Sequence, residues 1–135
     1  MDDSPRYTKT WLADGRILCY RLEDTTTLTV DAWATDLTQE LEAWPLDRPW
    51  RLLLDIRLNG NIVSTYALRR AREIARLRAD LPGRLAILIG SRLAAQIISI
   101  ALRGAPNSFR QRSFFASEAL AVAWLLENND NAGTS

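Results

Sequence analysis

Two short runs of apolar residues constrain the fold of this chain more than any other feature. Residues 50–57 and residues 84–90 are nearly continuous in large apolar side chains, a pattern typical of strands that are covered on both faces. Between them, residues 64–80 predict a helix: they begin with two hydroxyl residues that can cap a helix and continue with apolar side chains at helical spacing. A strand, a helix and a second buried strand predict a right-handed crossover in a mainly parallel sheet.

The segments on either side of this unit continue the same pattern. Asp14 and Gly15 separate two β-prone runs, which predicts an N-terminal β-hairpin. The other predicted elements are a helix at about 29–44, a helix at 91–102, a strand at 109–115 and a helix at 118–127. We therefore expect an α/β domain with a mixed, mostly parallel sheet of about four to five strands and about four helices.

Chain length and the two ends predict one domain in the cytoplasm. With 135 residues the chain has the size of one domain, and we place its core at about residues 7–127. Residues 128–135 are polar, and we expect this tail to be disordered. Residues 1–6 lack the basic and apolar regions of a signal peptide, and no apolar run approaches the ~20 residues that span a bilayer.

Composition argues against several classes of function. The formal net charge of +1 does not favour binding to nucleic acid or to a membrane by bulk electrostatics. The chain has no histidine, which removes the usual general base and the commonest zinc ligand. Cys19 is the single cysteine, so neither an internal disulfide nor a cysteine-rich metal site can form. We expect no enzymatic activity, no metal and no cofactor.

Asp55 is the one carboxylate whose position merits comparison with an active site. It ends a predicted central strand, where ligands of open α/β sheets bind. The favoured interpretation is structural: the carboxylate accepts backbone hydrogen bonds from the loop at residues 59–61. A second candidate, an anion site at residues 90–92, rests on a single glycine between a strand and a helix, which more often forms a turn.

Two stretches of the sequence resemble a known family. The first runs from Leu52-Leu53-Leu54-Asp55-Ile56 to Ile62-Val63-Ser64-Thr65, and the second is Phe114-Phe115-Ala116-Ser117-Glu118-Ala119-Leu120, ending at Trp124-Leu125. Together with the order of elements they are similar to STAS domains, in particular the SpoIIAA-like branch typified by bacterial anti-sigma-factor antagonists. The resemblance implies a non-enzymatic regulatory module that binds a protein partner.

The same resemblance implies a partner-binding site at the start of the second predicted helix. Ser64 would be the phosphoacceptor, with Thr65 beside it, and Tyr66, Arg69 and Arg70 would belong to the partner surface. This chain has Val63 where family antagonists place an acidic residue, and Tyr66 where they place glycine. Given these departures, a simple helix-capping role for Ser64 is favoured over a phosphorylation switch.

The helix at residues 91–102 is apolar over most of its circumference. It is either buried on all sides or presents a patch to a second molecule, and Leu93, Ile97 and Ile100 are the candidate patch residues. A homodimer or a pocket for a small apolar ligand or lipid would both use this helix, and self-association is the slightly favoured alternative. The sequence thus leaves two hypotheses: an interaction module, or a small-molecule or lipid-binding domain with an apolar pocket near this helix.

Overall fold

The computed structural model describes residues 4–59, 64–78, 80–103 and 110–127. The strands are β1 (Tyr7–Leu12), β2 (Ile17–Leu22), β3 (Trp50–Asp55), β4 (Gly83–Leu88) and β5 (Arg110–Phe115). The helices are α1 (Thr27–Ala43), α2 (Thr65–Ala75), α3 (Arg92–Leu102) and α4 (Glu118–Leu125), and a 3₁₀ turn spans Arg57–Asn59. The predicted tail at 128–135 and part of the first family motif, Ile62 and Val63, lie outside the described residues.

The strands form one mixed sheet in the order β1-β2-β3-β4-β5. β1 and β2 are antiparallel, and every later neighbour is parallel, with Cys19 opposite Leu53 and Leu54 opposite Ile87. The predicted α/β class, the mostly parallel sheet, the four helices and the N-terminal hairpin are therefore confirmed. The hairpin turn places Asp14 and Gly15 at positive φ, a conformation that glycine adopts without steric cost.

The helices divide unequally between the two faces of the sheet. α1 packs against α2, and α2 packs against α3, so these three helices form a layer on one face. α4 packs against β3, β4 and β5 on the opposite face. Side chains alternate along each strand between the two cores. Leu18, Tyr20 and Leu52 belong to the core under the three helices, whereas Cys19 and Leu53 belong to the core under α4.

The hairpin is attached to α1 through one carboxylate. Asp36 on α1 accepts hydrogen bonds from the hydroxyl groups of Tyr7, at 3.1 Å, and Tyr20, at 2.6 Å. Lys9, the only lysine of the chain, pairs with Asp36 at 2.9 Å and also with Glu40. These contacts fix the antiparallel edge of the sheet against the first helix.

Arginines from other parts of the chain bind the C-terminal carbonyl groups of three helices. Arg78 donates to the carbonyl oxygens of Leu41, at 3.1 Å, and Trp44, also at 3.1 Å, at the end of α1. Arg112 donates to the carbonyl of Leu102, the last residue of α3, and Arg84 to that of Trp124 in α4. Cations at this end also complement the helix dipole. These three arginines thus have a structural role.

The predicted second helix needs correction in detail, and the last helix shows which of its sides is buried. Residues 64–80 were expected to form one helix, but α2 ends at Ala75 and a turn follows, with Arg78 at φ +50°. In α4 the side against the sheet carries Ala121 and Leu125, whereas Leu120 is 65% exposed. Apolar residues occupy every side of this short helix, so their spacing could not define the buried side.

Candidate functional site

A cavity of about 110 Å³ lies between the sheet and the three-helix layer. Its walls come from the sheet and from all three helices of that layer, and they are almost entirely apolar. Strand residues in the lining include Leu52, Leu54, Leu85 and Ile87, and helix residues include Trp33, Leu37, Ile74, Ile98 and Leu102. The residues of the core beneath α4 take no part in this lining. The cavity is thus a feature of one face of the sheet.

Small residues on α2 leave this space open. Ala67, Ala71 and Ala75 follow one another at helical spacing, and all three line the cavity. An alanine supplies a single methyl group where leucine or isoleucine would fill the gap between helix and sheet. Empty space of this size costs a folded protein about 2–3 kcal/mol, at about 24 cal/mol per Å³ of cavity. A ligand that fills the cavity would recover part of that cost.

The polar groups of the lining are few. Arg112 on β5 is the one charged residue among the described residues of the lining, and Thr25, after β2, is uncharged. Arg112 lies on the same side of β5 as Phe114, which packs on the three-helix core. Its Nη2 donates to the carbonyl of Leu102 at 3.2 Å, and the residue is exposed overall. The cavity therefore reaches solvent beside a guanidinium group.

Trp33 contributes a buried donor near this cavity. Its Nε1 is buried and has no hydrogen-bond partner among the described residues. Trp44, on the turn after α1, is different because its Nε1 donates to the carbonyl of Arg48 at 3.1 Å. An unsatisfied buried donor costs about 1–3 kcal/mol. The three-helix face thus contains both unfilled space and an unsatisfied polar group.

The predicted phosphoacceptor, Ser64, is the N-cap of α2. Its Oγ accepts a hydrogen bond from the backbone N–H of Ala67 at 3.1 Å and donates to the carbonyl of Thr25 at 3.2 Å. The side chain is half-buried, and the neighbouring Thr65 is exposed. A phosphate on Ser64 would have to replace the bond to Thr25, since a phosphate ester has no hydroxyl hydrogen to donate at that atom.

The predicted partner surface is assembled where α2 meets α1. The hydroxyl of Tyr66 donates to Asp31 on α1, and this hydrogen bond raises the pKa of Tyr66. The guanidinium of Arg69 lies 5.2 Å from the centre of the Tyr66 ring. Arg70 pairs with Glu73 at 3.5 Å. Tyr66 is therefore held in place by the guanidinium of Arg69 and by the carboxylate of Asp31.

The predicted patch on α3 is exposed and separate from the cavity. Leu93, Ile97 and Ile100 are 67%, 48% and 62% exposed. The opposite side of the same helix is buried, and there Ile98 and Leu102 line the cavity. The cavity lies beside this helix, but Leu93, Ile97 and Ile100, the residues named as candidates for a ligand or dimer patch, do not line it.

Asp55 belongs to a charged network on the α4 side of the sheet. It is 2% exposed and accepts hydrogen bonds from the backbone N–H of Arg57 at 3.0 Å and from the guanidinium groups of Arg57 and Arg21, at 2.9 Å and 2.8 Å. Burial by itself would raise the pKa of Asp55, but these bonds hold it below its usual value. The donors are Arg57 and Arg21, whereas the prediction placed them in the loop at residues 59–61. The bonds support a structural role for Asp55.

The sequence pattern contained a partial signal for this network. Arg21 and Asp55 occupy paired positions on β2 and β3; Arg21 is the one charged residue of β2, and Asp55 follows three leucines at the end of β3. The third partner, Glu118 at the start of α4, accepts from Arg21 at 2.9 Å although it lies far along the chain. The contact between Arg21 and Glu118 could not be predicted from sequence spacing, because it depends on how α4 packs on the sheet.

Comparisons with protein-family models, with curated proteins and with solved structures find no match to this chain. The resemblance to STAS domains therefore stays a prediction. Among the described residues no helix is long and apolar enough to cross a membrane, and no three Cys, Asp or Glu side chains form a group that could hold a metal ion. The cavity and the exposed apolar surface of α3 are therefore the two features that bear on function.

Proposed function

We propose that this protein is a non-catalytic binding domain that holds a compact apolar molecule between its sheet and the helices α1, α2 and α3. The observation that carries the proposal is the cavity of about 110 Å³ with apolar walls and a row of alanines on α2. An engineered cavity of about 150 Å³ with similar walls binds benzene in another protein. The expected ligand is therefore about as large as one aromatic ring or a short alkyl chain.

Several contacts favour binding over catalysis. The carboxylate at the end of β3 is engaged by two guanidinium groups, and the hydroxyl of Ser64 is engaged at both its oxygen and its hydrogen. The chain contains no histidine to serve as a general base. A cavity lined by leucine and isoleucine offers a ligand burial from water, which is a binding contribution.

Calorimetry with 1-hexanol tests this proposal. We expect wild type to bind the alcohol and Ala71→Leu to lose at least about tenfold in affinity, because the added side chain occupies the space. Ala123→Leu makes the same change at an exposed position of α4 and is expected to bind like wild type. Equal affinity of all three proteins, or no binding by wild type, would contradict the proposal.

A second candidate function, the interaction module implied by the resemblance, is favoured by the exposed stripe on α3. Three large apolar side chains in one stripe of a solvent-facing helix are what a self-association or partner surface requires. Sedimentation velocity of wild type, Ile97→Glu and Gln96→Glu would test self-association, because Gln96 is also exposed on this helix and its change adds the same charge. A dimer lost only in Ile97→Glu supports this candidate, and a monomeric wild type removes the homodimer.

The implied switch at Ser64 has its own test. We expect a protein captured by wild type and by Ser64→Ala, but not by Ser64→Glu, if phosphorylation controls partner binding. Capture by all three baits would leave Ser64 as the cap of α2, which is the role its hydrogen bonds support.

A further inference from the structure

We infer that the ligand of the cavity is a small monocarboxylic acid whose carboxylate pairs with Arg112. This inference rests on the proposed function and specifies the chemical class of the molecule. Its basis is the juxtaposition of an apolar cavity with one cationic side chain in its wall. Arg112 differs in this respect from Arg21 and Arg84, which lie on other strands and have carboxylate partners.

Two other strand arginines, Arg21 and Arg84, lie on the α4 face and have carboxylate partners. Arg21 on β2 pairs with Asp55 at 2.8 Å and with Glu118 at 2.9 Å, and Arg84 on β4 pairs with Glu127 at 3.0 Å. Arg112, on the cavity face of β5, forms no ion pair with a carboxylate in the described part of the chain. An arginine on an apolar wall without an anionic partner is a position where a ligand can supply the anion.

The guanidinium of Arg112 has hydrogen-bonding capacity left for a ligand. It carries five N–H groups in a planar fork, and the structure shows one of its nitrogen atoms, Nη2, donating to the carbonyl of Leu102. A carboxylate can accept two parallel hydrogen bonds from such a fork. Because Leu102 also lines the cavity, the capping bond holds the guanidinium beside the cavity wall.

Solvent exposure of Arg112 makes an acid compatible with the apolar interior. A carboxylate buried without a partner would lose its hydration at a large cost. Here the carboxylate would stay at the solvent-exposed guanidinium, while the apolar body of the molecule enters between α2, α3 and the sheet. The small volume limits that body to a ring or a short chain, which excludes the paired acyl chains of a membrane lipid.

The test uses three probes with the same alkyl chain: hexanoate, 1-hexanol and hexylammonium, titrated by calorimetry at low ionic strength. We expect wild type to bind hexanoate at least about tenfold more tightly than 1-hexanol and to bind hexylammonium least. Arg112→Gln should lose at least about tenfold in hexanoate affinity and keep its affinity for 1-hexanol. Arg103→Gln, which removes the same charge from an exposed residue just after α3, should bind all three probes like wild type.

The outcomes separate this inference from the proposed function. If wild type binds none of the probes, the proposed function and the inference both fail. If 1-hexanol binds but hexanoate binds no more tightly, or if Arg112→Gln weakens both equally, the cavity is a site and the acid inference fails. Should Arg112→Gln not fold, Arg112→Lys keeps the charge but not the fork, and the preference of wild type for hexanoate still decides the outcome.

Discussion

The two faces of the sheet are covered in opposite ways. On one face the single helix α4 is held at both ends by charged side chains: Glu118 in its first turn meets Arg21, and its last carbonyls accept from Arg51 at 2.8 Å and Arg84 at 2.6 Å. On the other face three helices enclose an apolar space that their side chains do not fill. The difference is that unfilled volume lies on the three-helix face, whereas on the other face charged side chains hold the single covering helix at both of its ends.

The largest expected effect is the loss of the buried carboxylate on the α4 face. Asp55→Asn should lower the free energy of unfolding by about 2–4 kcal/mol, because Arg21 and Arg57 would keep their charges without their common partner. This figure allows for the partial solvent exposure of both arginines. Urea denaturation of wild type and of Asp55→Asn measures this loss in the free energy of unfolding.

Asp47→Asn is the matched control for that experiment, since Asp47 is exposed on the loop before β3. It should change the free energy of unfolding by less than about 0.5 kcal/mol. A small loss at Asp55, similar to the control, would show that the network does not hold the α4 face together.

Paired alanine-to-leucine changes compare the packing of the two faces directly. Ala121 on α4 is fully buried, so Ala121→Leu should overpack that face and destabilise the protein by about 1–3 kcal/mol. Ala71→Leu places the same side chain in the cavity and should leave the stability unchanged or raise it. Thermal unfolding of both variants decides the matter, and an equal loss in the two would show that both faces are filled alike.

A smaller difference is expected between two tryptophans, because the indole N–H of Trp44 has a hydrogen-bond partner and that of Trp33 has none among the described residues. Trp44→Phe removes the hydrogen bond to the carbonyl of Arg48 and puts a smaller ring in edge-on contact with Trp50, whose ring centre lies 4.7 Å from that of Trp44. Trp33→Phe removes a donor that has no partner among the described residues, so its loss of packing is partly offset. We expect Trp33→Phe to cost about 1 kcal/mol less than Trp44→Phe. A greater cost for Trp33→Phe in denaturant unfolding would argue that its N–H is satisfied.

Acid sensitivity should be shared by the two faces. Burial would raise the pKa of Asp55 and of Asp36, but the bonds from arginines to the first, and from Tyr20 and Lys9 to the second, hold both below the ordinary value. A carboxyl group with a lowered pKa stabilises the fold above its unfolded-state value and loses that contribution as the pH falls through its folded-state value. We therefore expect stability to decline below about pH 4.

The two asparagine variants locate the source of that decline. Asp55→Asn and Asp36→Asn should each flatten it, as measured by urea unfolding between about pH 2 and pH 7. An unchanged slope in both variants would assign the acid sensitivity to other groups.

The sequence predicted more of the fold than of the candidate site. Continuous apolar runs identified β3 and β4, the Asp14-Gly15 pair identified the hairpin, and Ser64 was expected as a cap and is one. These are local signals, set by neighbouring residues. The cavity is not local, because it depends on how the volumes of three helices and a sheet combine.

The row of alanines on α2 was the available signal for the cavity. Ala67, Ala71 and Ala75 are among the apolar residues at helical spacing in residues 64–80, but apolar character alone does not distinguish a methyl group from an isobutyl group. Arg112 was likewise visible in the last strand, and alternation along that strand could place it on one side of the sheet. Which side of the sheet carries the cavity depends on how the helices pack on its two faces, and only the structure gave that packing.

The central claim is that a compact apolar molecule binds between the sheet and the three helices, and methyl NMR with 1-hexanol tests it most directly. The account predicts that the resonances of Ile74, Ile87 and Ile98 shift with added alcohol, while those of Leu53 and Leu125 beneath α4 do not. Shifts confined to the exposed methyl groups of α3, or spread equally over both faces, would contradict it.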